Sequence, residues 1–313
     1  MMRTRGEKIF SVFNTIILSL IALACLIPVW HVICCSVSEP TLLNANRGTV
    51  LWPLGQWTFL GYEKVFKTSY ILRGYLNTVY YVILGTAIGL VLTCLAAYGL
   101  SRKDLMLKKP INFFITFTML FNGGLVPTYM VIRDLKMLNT VWAIVLPLCV
   151  SVFNVMIMRT SFDNIPDALT EAAQIDGAGH VRILVQIILP VSKSILAVVT
   201  LFYIVQHWNS WFHSALYIKD RDLYPLQLWL REIVIAETNS VIEADAADAG
   251  LINQTKALIK YCVIVIAILP MMIAYPFVQK YFVTGVMIGS ANCRRRMPDI
   301  FVTLETECGI WAI

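Results

Sequence analysis

Between Glu171 and Pro190 the chain reads EAAQIDGAGHVRILVQIILP, and these residue types suit contact and leverage better than bond-making chemistry. Asp167 and Glu171 lie four apart, which puts both carboxylates on one face of a helix near its positive N-terminal end. Leu169, Ala172 and Ala173 give that helix a small, partly apolar flank that another protein's surface can approach closely. Asn164, followed by Ile165 and Pro166, predicts the helix start: a capping side chain, then a proline preset for the first turn. Gly177 and Gly179 are poor helix residues and predict a turn directly after Asp176. A second helical stretch, Val181 to Leu189, then leads into Pro190. The expected object is a short helix, an elbow and a second helix. A polar knob on such an elbow suits the transmission of force from a partner.

Residues for other chemistry are scattered. His31, His180, His207 and His213 share no local motif, and an intramembrane enzyme would need convergent acid, base or metal ligands. His207 and His213, close to Trp208, Asn209 and Trp211, read as interfacial residues. The eight cysteines form no C-x2-C pair and no His/Cys cluster with metal spacing. Most fall in apolar runs, where cysteine behaves as a small hydrophobe. No G-x4-G-K-[ST] phosphate loop occurs, and Asp176-Gly177-Ala178-Gly179 is not one. No catalytic, metal or cofactor site is therefore expected.

The elements that must position the elbow are membrane spans. The chain is 58% hydrophobic and 14% charged, and its mean hydropathy is +0.72. A soluble globular protein is about a quarter charged. Apolar runs at about 9–35, 76–100, 111–132, 140–158, 188–208 and 257–278 approach or exceed the roughly 20 residues that cross a bilayer. The fold expected is an all-α membrane protein of about six transmembrane helices. The first run is too long for the core of a signal peptide and continues past Cys25, so it is expected to be an uncleaved span.

Basic residues orient the bundle. Arg3, Arg5 and Lys8 precede the first span, Arg102, Lys103, Lys108 and Lys109 follow the second, and Lys280 with Arg294 to Arg296 follow the last. On the other side Lys and Arg are spread over longer loops. The expected orientation is N-in/C-in, with the elbow in the cytoplasm. The net charge of +6 reflects this inside bias, and no arginine-rich face with interleaved aromatics points to nucleic acid.

Three domain-level segments are expected: 1–75, with the first span and an outer segment; 76–290, a core holding the elbow loop 159–189; and an atypical tail, 291–313. Leu60 to Phe66 is expected to be a short helix on the membrane surface. Leu226 to Ala236, apolar but interrupted by Arg231 and Glu232, is expected to be another surface helix in the long acidic outer loop 209–256. Span three contains Gly123, Gly124 and Pro127, which suits either a kink lining a pathway or a close helix contact. Asn122, Asn154, Gln206 and Asn209, with Thr118, are the polar residues at membrane depth or its outer edge that could line a substrate pathway. Tyr203 and Trp208 could stack on sugar rings, although packing is the commoner fate of such aromatics.

The Glu171–Pro190 stretch fills every fixed position of the EAA–x3–G–x9–I–x–LP signature: Glu171, Ala172, Ala173, Gly177, Ile187, Leu189 and Pro190. It resembles the permease subunits of binding-protein-dependent ABC importers. The span-two ending AAYGLSR, the run GGLVPTY from Gly123 and the segment YPFVQKYFVTGVMIGS from Tyr275 are similar to the carbohydrate-uptake branch that takes complex oligosaccharides. The resemblance covers roughly residues 10–290 and stops after Ser290.

It implies a type I importer permease fold in the bacterial cell membrane. The implied partners are a second homologous permease, two ATP-binding subunits and an extracytoplasmic solute-binding protein, with a sugar as cargo. It further implies that Glu171, Ala172, Ala173, Asp176 and Gly177 form the contact with the ATP-hydrolysing subunit. Glu171 would pair with a basic residue there, and the alanines would pack in a groove. A transporter working alone on an ion gradient would show ionisable residues inside its spans. The nearly charge-free spans argue against that.

Overall fold

The computed structural model describes residues 5–46, 48–121, 123–235, 255 and 257–276. Asn122, the acidic residues Glu237, Glu243, Asp245 and Asp248, most of the segment from Tyr275 to Ser290 and the tail 291–313 lie outside the described residues. The described residues form helices, turns and loops, with no strand among them.

In chain order the helices are α1 (Arg5–Ser36), α2 (Pro40–Ala45), α3 (Leu60–Lys67), α4 (Ser69–Ser101), α5 (Lys108–Leu120), α6 (Leu125–Asp134), α7 (Val141–Leu148) and α8 (Val152–Asp163). They continue with α9 (Asp167–Ile175), α10 (His180–Val191), α11 (Lys193–Trp208), α12 (Trp211–Tyr217), α13 (Leu226–Ile235) and α14 (Ala257–Pro276). Three stretches, Ile9–Ser36, Ser69–Ser101 and Ala257–Pro276, are single helices long and apolar enough to cross a membrane. Three further runs form bent pairs: α5 with α6 at 108°, α7 with α8 at 45° and α10 with α11 at 90°. Counting each pair as one span gives up to six.

The breaks have local causes. Gly124, ahead of α6, has φ +91°, a conformation that glycine adopts without the Cβ penalty. Pro190 has no N–H to offer the Gln186 carbonyl, and the preceding turns, Leu184–Ile188, widen into a π-helix. The chain then bends at Ser192, whose backbone leaves the helical region.

The chain divides into two compact units. One comprises Met1–Val79 and Ser210–Met271. Its core gathers Cys34, Cys35, Val65, Ile71, Leu226, Leu258, Cys262 and Val263. Gly61 of α3 lies so close to Cys262 and Leu258 of α14 that an added Cβ would meet the Cys262 sulfur at 2.6 Å. The segment that the sequence reading took as a surface helix, Leu226 to Ala236, is described as far as Ile235, as α13. Leu226, Leu228 and Trp229 of α13 are buried, so this helix lays its apolar face on the core of its own unit and exposes only the other face.

The other unit comprises Tyr80–Asn209 and Met272–Ile313. Its core gathers Cys94, Ala97, Met158, Phe162, Ile183, Leu184, Val199 and Tyr203. His207 is buried here, at 1% exposure, with its ring against Gly85 of α4. It is not the interfacial residue the sequence suggested, because the small Gly85 leaves a recess that the imidazole fills.

Candidate functional site

Asn164 does not start the helix that carries Glu171. Its amide donates back to the Thr160 carbonyl at 2.9 Å, and its N–H donates to Ser161 O, so it closes α8. Pro166 stands at the N-cap with extended ψ, and α9 begins at Asp167. A proline that precedes the helix turns the chain without occupying its first turn, which is why the expected asparagine cap is absent.

The inward face of α9 carries Thr170 and Ala173, both buried. Thr170 Oγ1 donates to the Asp167 carbonyl at 2.8 Å, and Ala173 joins the core around Met158 and Phe162. Ala173 is thus spent on the chain's own packing. Glu171, Ala172 and Asp176 are exposed, together with Leu169 and Ile175, the latter at 87%. The two alanines of the sequence pattern therefore differ in environment: Ala173 is buried, and Ala172, about 100° round the helix, is exposed.

The end of α9 is a Schellman motif. The Gly177 N–H donates to Gln174 O, and the Ala178 N–H donates to Ala173 O, both at 2.9 Å. Gly177 has φ +77°, and nothing lies within 4 Å of where its Cβ would stand. Glycine is required there by backbone conformation and not by crowding. Gly179 has an ordinary extended backbone and opens α10.

Two lysines tie this elbow to neighbouring helices. Lys103, in the loop after α4, pairs with the Asp167 carboxylate. That carboxylate, with Glu171 and Asp163 contributing less, raises the Lys103 ammonium above the usual lysine value. Lys108, at the start of α5, donates to the Ser101 carbonyl at 3.0 Å and lies 3.6 Å from Asp163. Asp163 also holds Arg159 Nε at 3.3 Å, so one carboxylate serves two cations. A polar pocket of about 300 Å³ lies among these groups, with Arg102, Lys103, Asp163, Asp167, Glu171 and Gln174 on its wall.

The sequence-derived pathway residues are not joined. Asn154 is buried near the start of α8. Gln206 Nε2 reaches the Leu148 carbonyl at 3.5 Å. Asn209 ends α11 and turns its amide back to Val205 O at 3.0 Å. Thr118 bonds Ile115 O within α5. No hydrogen bond among the described residues links any two of the pathway candidates. Among the described residues there is likewise no group of three His, Cys, Asp or Glu side chains able to hold a metal.

Sequence reasoning missed a buried polar junction in this unit. Tyr203 is fully buried. Its hydroxyl accepts the Ser151 N–H at 3.1 Å and lies against Thr93 Oγ1. An apolar-looking helix with one tyrosine carries little signal for such a contact.

No protein-family model matches the chain. It is 36% identical over 287 residues to the polygalacturonan/rhamnogalacturonan transport system permease protein YtcP of Bacillus subtilis (strain 168), covering 91% of this chain and 99% of that one. It is 34% identical over 292 residues to the protein LplC of the same organism, covering 93% and 98%. A solved structure of a bacterial ABC transporter involved in import of the acidic polysaccharide alginate has a chain of the same fold. The TM-score is 0.81 at 28% identity, over 90% of this chain and 99% of that one.

Proposed function

Because the chain belongs to the permease subunits of bacterial carbohydrate ABC importers, we propose that its elbow at Glu171–Pro190 couples ATP hydrolysis on partner subunits to passage of an oligosaccharide. The protein is an integral membrane component of such an importer. In our reading the orientation is N-in/C-in with six spans. Residues 76–290 form the core, and loop 159–189 meets the ATPase.

The partners in this reading are a second, homologous permease, two ATP-binding subunits and a solute-binding protein outside. ATP draws the two ATP-binding subunits together and the elbows with them. The spans switch from inward- to outward-facing, sugar released by the binding protein enters, and hydrolysis resets the bundle. Glu171 supplies the exposed carboxylate for a basic residue of the ATPase. Ala172, Leu169 and Ile175 supply the small apolar surface beside it, Asp176 lies at the helix end, and Gly177 holds the turn. Asn122, Asn154, Gln206 and Asn209 stand as candidate pathway residues.

The observation that carries this reading is the combination of an exposed Glu171 with a rigid Schellman turn at Gly177, six residues later. A stiff helix end with one unburied carboxylate transmits displacement where a flexible loop would absorb it. The test is ATPase activity of the reconstituted complex with and without sugar-loaded binding protein. Stimulation should be lost in Glu171→Ala and Gly177→Pro although the subunits still assemble. Stimulation at wild-type level in both variants would mean that the elbow is only a connector.

A further inference from the structure

Four cations of the first unit, Arg73, Arg221, Arg231 and Lys67, show how its surface charges are used, and one of them stands apart. Arg73 pairs with Asp222. Lys67 pairs with Glu63 at 2.6 Å. Arg221 lies over the Trp229 ring and has Glu232 at 3.9 Å. Arg231 has no carboxylate within 4.0 Å among the described residues. Its guanidinium carbon instead sits 4.4 Å above the ring centroid of Trp211.

That arrangement fixes the arginine without consuming its hydrogen-bonding capacity. Stacking on an indole uses the face of the guanidinium and leaves its in-plane N–H fork open. A fork held in this way matches a carboxylate bidentately. Arg231 is exposed on α13, and beside it Trp211 and Phe212 are 37% and 45% exposed. Phe212 meets Trp211 edge-on, with ring centroids 5.6 Å apart at 87°. A preorganised cation next to an exposed aromatic wall suits a ligand with a carboxylate on an otherwise C–H-lined ring, which is the chemistry of a hexuronate.

We propose that Arg231, held by Trp211, is a specificity residue for acidic oligosaccharides, contacting a uronate carboxylate on the outer side of the protein. This deepens the proposed function and rests on it. Two of the similar proteins are described as handling polygalacturonan/rhamnogalacturonan and the acidic polysaccharide alginate, which agrees in charge with a free arginine fork.

The experiment uses the complete importer in proteoliposomes with one binding protein held constant. Initial uptake rates are measured for a galacturonate trimer and for its methyl ester, which has the same shape without the charge. In Arg231→Gln the acid-to-ester ratio of kcat/KM should fall on the order of tenfold, the scale of a lost charge-assisted hydrogen bond. Arg231→Lys should fall in between, because an ammonium keeps the charge and loses the fork. Trp211→Leu should mimic Arg231→Gln in part by freeing the guanidinium.

Equal loss for acid and ester would overturn the proposal and make the pair a contact for the binding protein. An unchanged ratio would overturn it too. A wild-type importer that carries neutral oligosaccharides and rejects the acid would end the uronate inference and leave the proposed function standing. One that carries no oligosaccharide would end both.

Discussion

The Tyr203 hydroxyl lies 2.5 Å from Thr93 Oγ1, across 110 residues of sequence, and also accepts the N–H of Ser151 at 3.1 Å. One phenol therefore joins α4, the start of α8 and α11 inside a core that is otherwise mainly apolar. Gly89 makes room for its ring: a Cβ there would stand 3.2 Å from Tyr203 Cε1.

Tyr203→Phe strands the Ser151 N–H, and leaving a buried donor without its partner costs about 1–3 kcal/mol. The detergent-solubilised complex should melt several degrees lower. Adding Thr93→Val to Tyr203→Phe should cost less than the sum of the two single changes, because both remove the same bond. Additive losses in that thermal-melt cycle would show that the two side chains act separately.

Gly177→Ala forces a Cβ into a left-handed residue, at a cost of roughly 1–2 kcal/mol. The turn should loosen and sugar-dependent ATPase stimulation should drop. Gly179→Ala is the control. Its φ is −72° and nothing lies within 4 Å of its Cβ position, so stimulation should stay near wild type. Equal behaviour of the two variants would refute the special role of the turn.

Gly85→Val places a side chain where the buried His207 ring stands, since even a Cβ at Gly85 would be 2.4 Å from its Cε1 and Nε2. His207 is buried, so overpacking of about 1–3 kcal/mol is expected. The combination Gly85→Val with His207→Ala should recover part of the lost assembly yield. Failure of that rescue would mean that the clash lies elsewhere.

The Lys103–Asp167 pair is exposed on both sides and is screened by solvent, so breaking it should leave the melting temperature nearly unchanged. Its effect belongs in coupling. Asp167→Lys should lower the sugar transported per ATP hydrolysed, and the swap Lys103→Asp with Asp167→Lys should restore part of it. The pH sign follows from the raised Lys103 value: pairing is complete below the ordinary lysine pKa of about 10.4 and is lost as pH rises through the higher folded value. The coupling ratio of the wild type should therefore not vary through this pair between about pH 6 and pH 9. A titration of the ratio within that range that disappears in Lys103→Gln would contradict the assignment.

Much of this protein was readable in its residue order. Apolar runs located α1, α4 and α14 within a few residues at most ends, because a helix that crosses a bilayer needs a long run of uncharged residues and satisfies its backbone groups within itself. The short α3 and the helix–turn–helix from Asp167 onward were also legible, the latter because Gly177 interrupts an otherwise helical composition. The start of that helix was misread at Asn164. A capping residue two positions before a proline looks the same in sequence whether it opens the next helix or closes the last.

The chain alone determined its class, its long apolar helices and the family that its Glu171–Pro190 pattern resembles, since those follow from hydropathy, charge and the spacing of a few residues. The tertiary structure decided which way each residue faces and what it meets. It turned Ala173 inward while leaving Ala172 outside, and seated His207 against Gly85. It also brought Tyr203 to Thr93, and Arg231 over Trp211. The reason is physical: period and hydropathy are local properties of a segment, whereas contacts between side chains far apart in sequence exist only after the helices have packed.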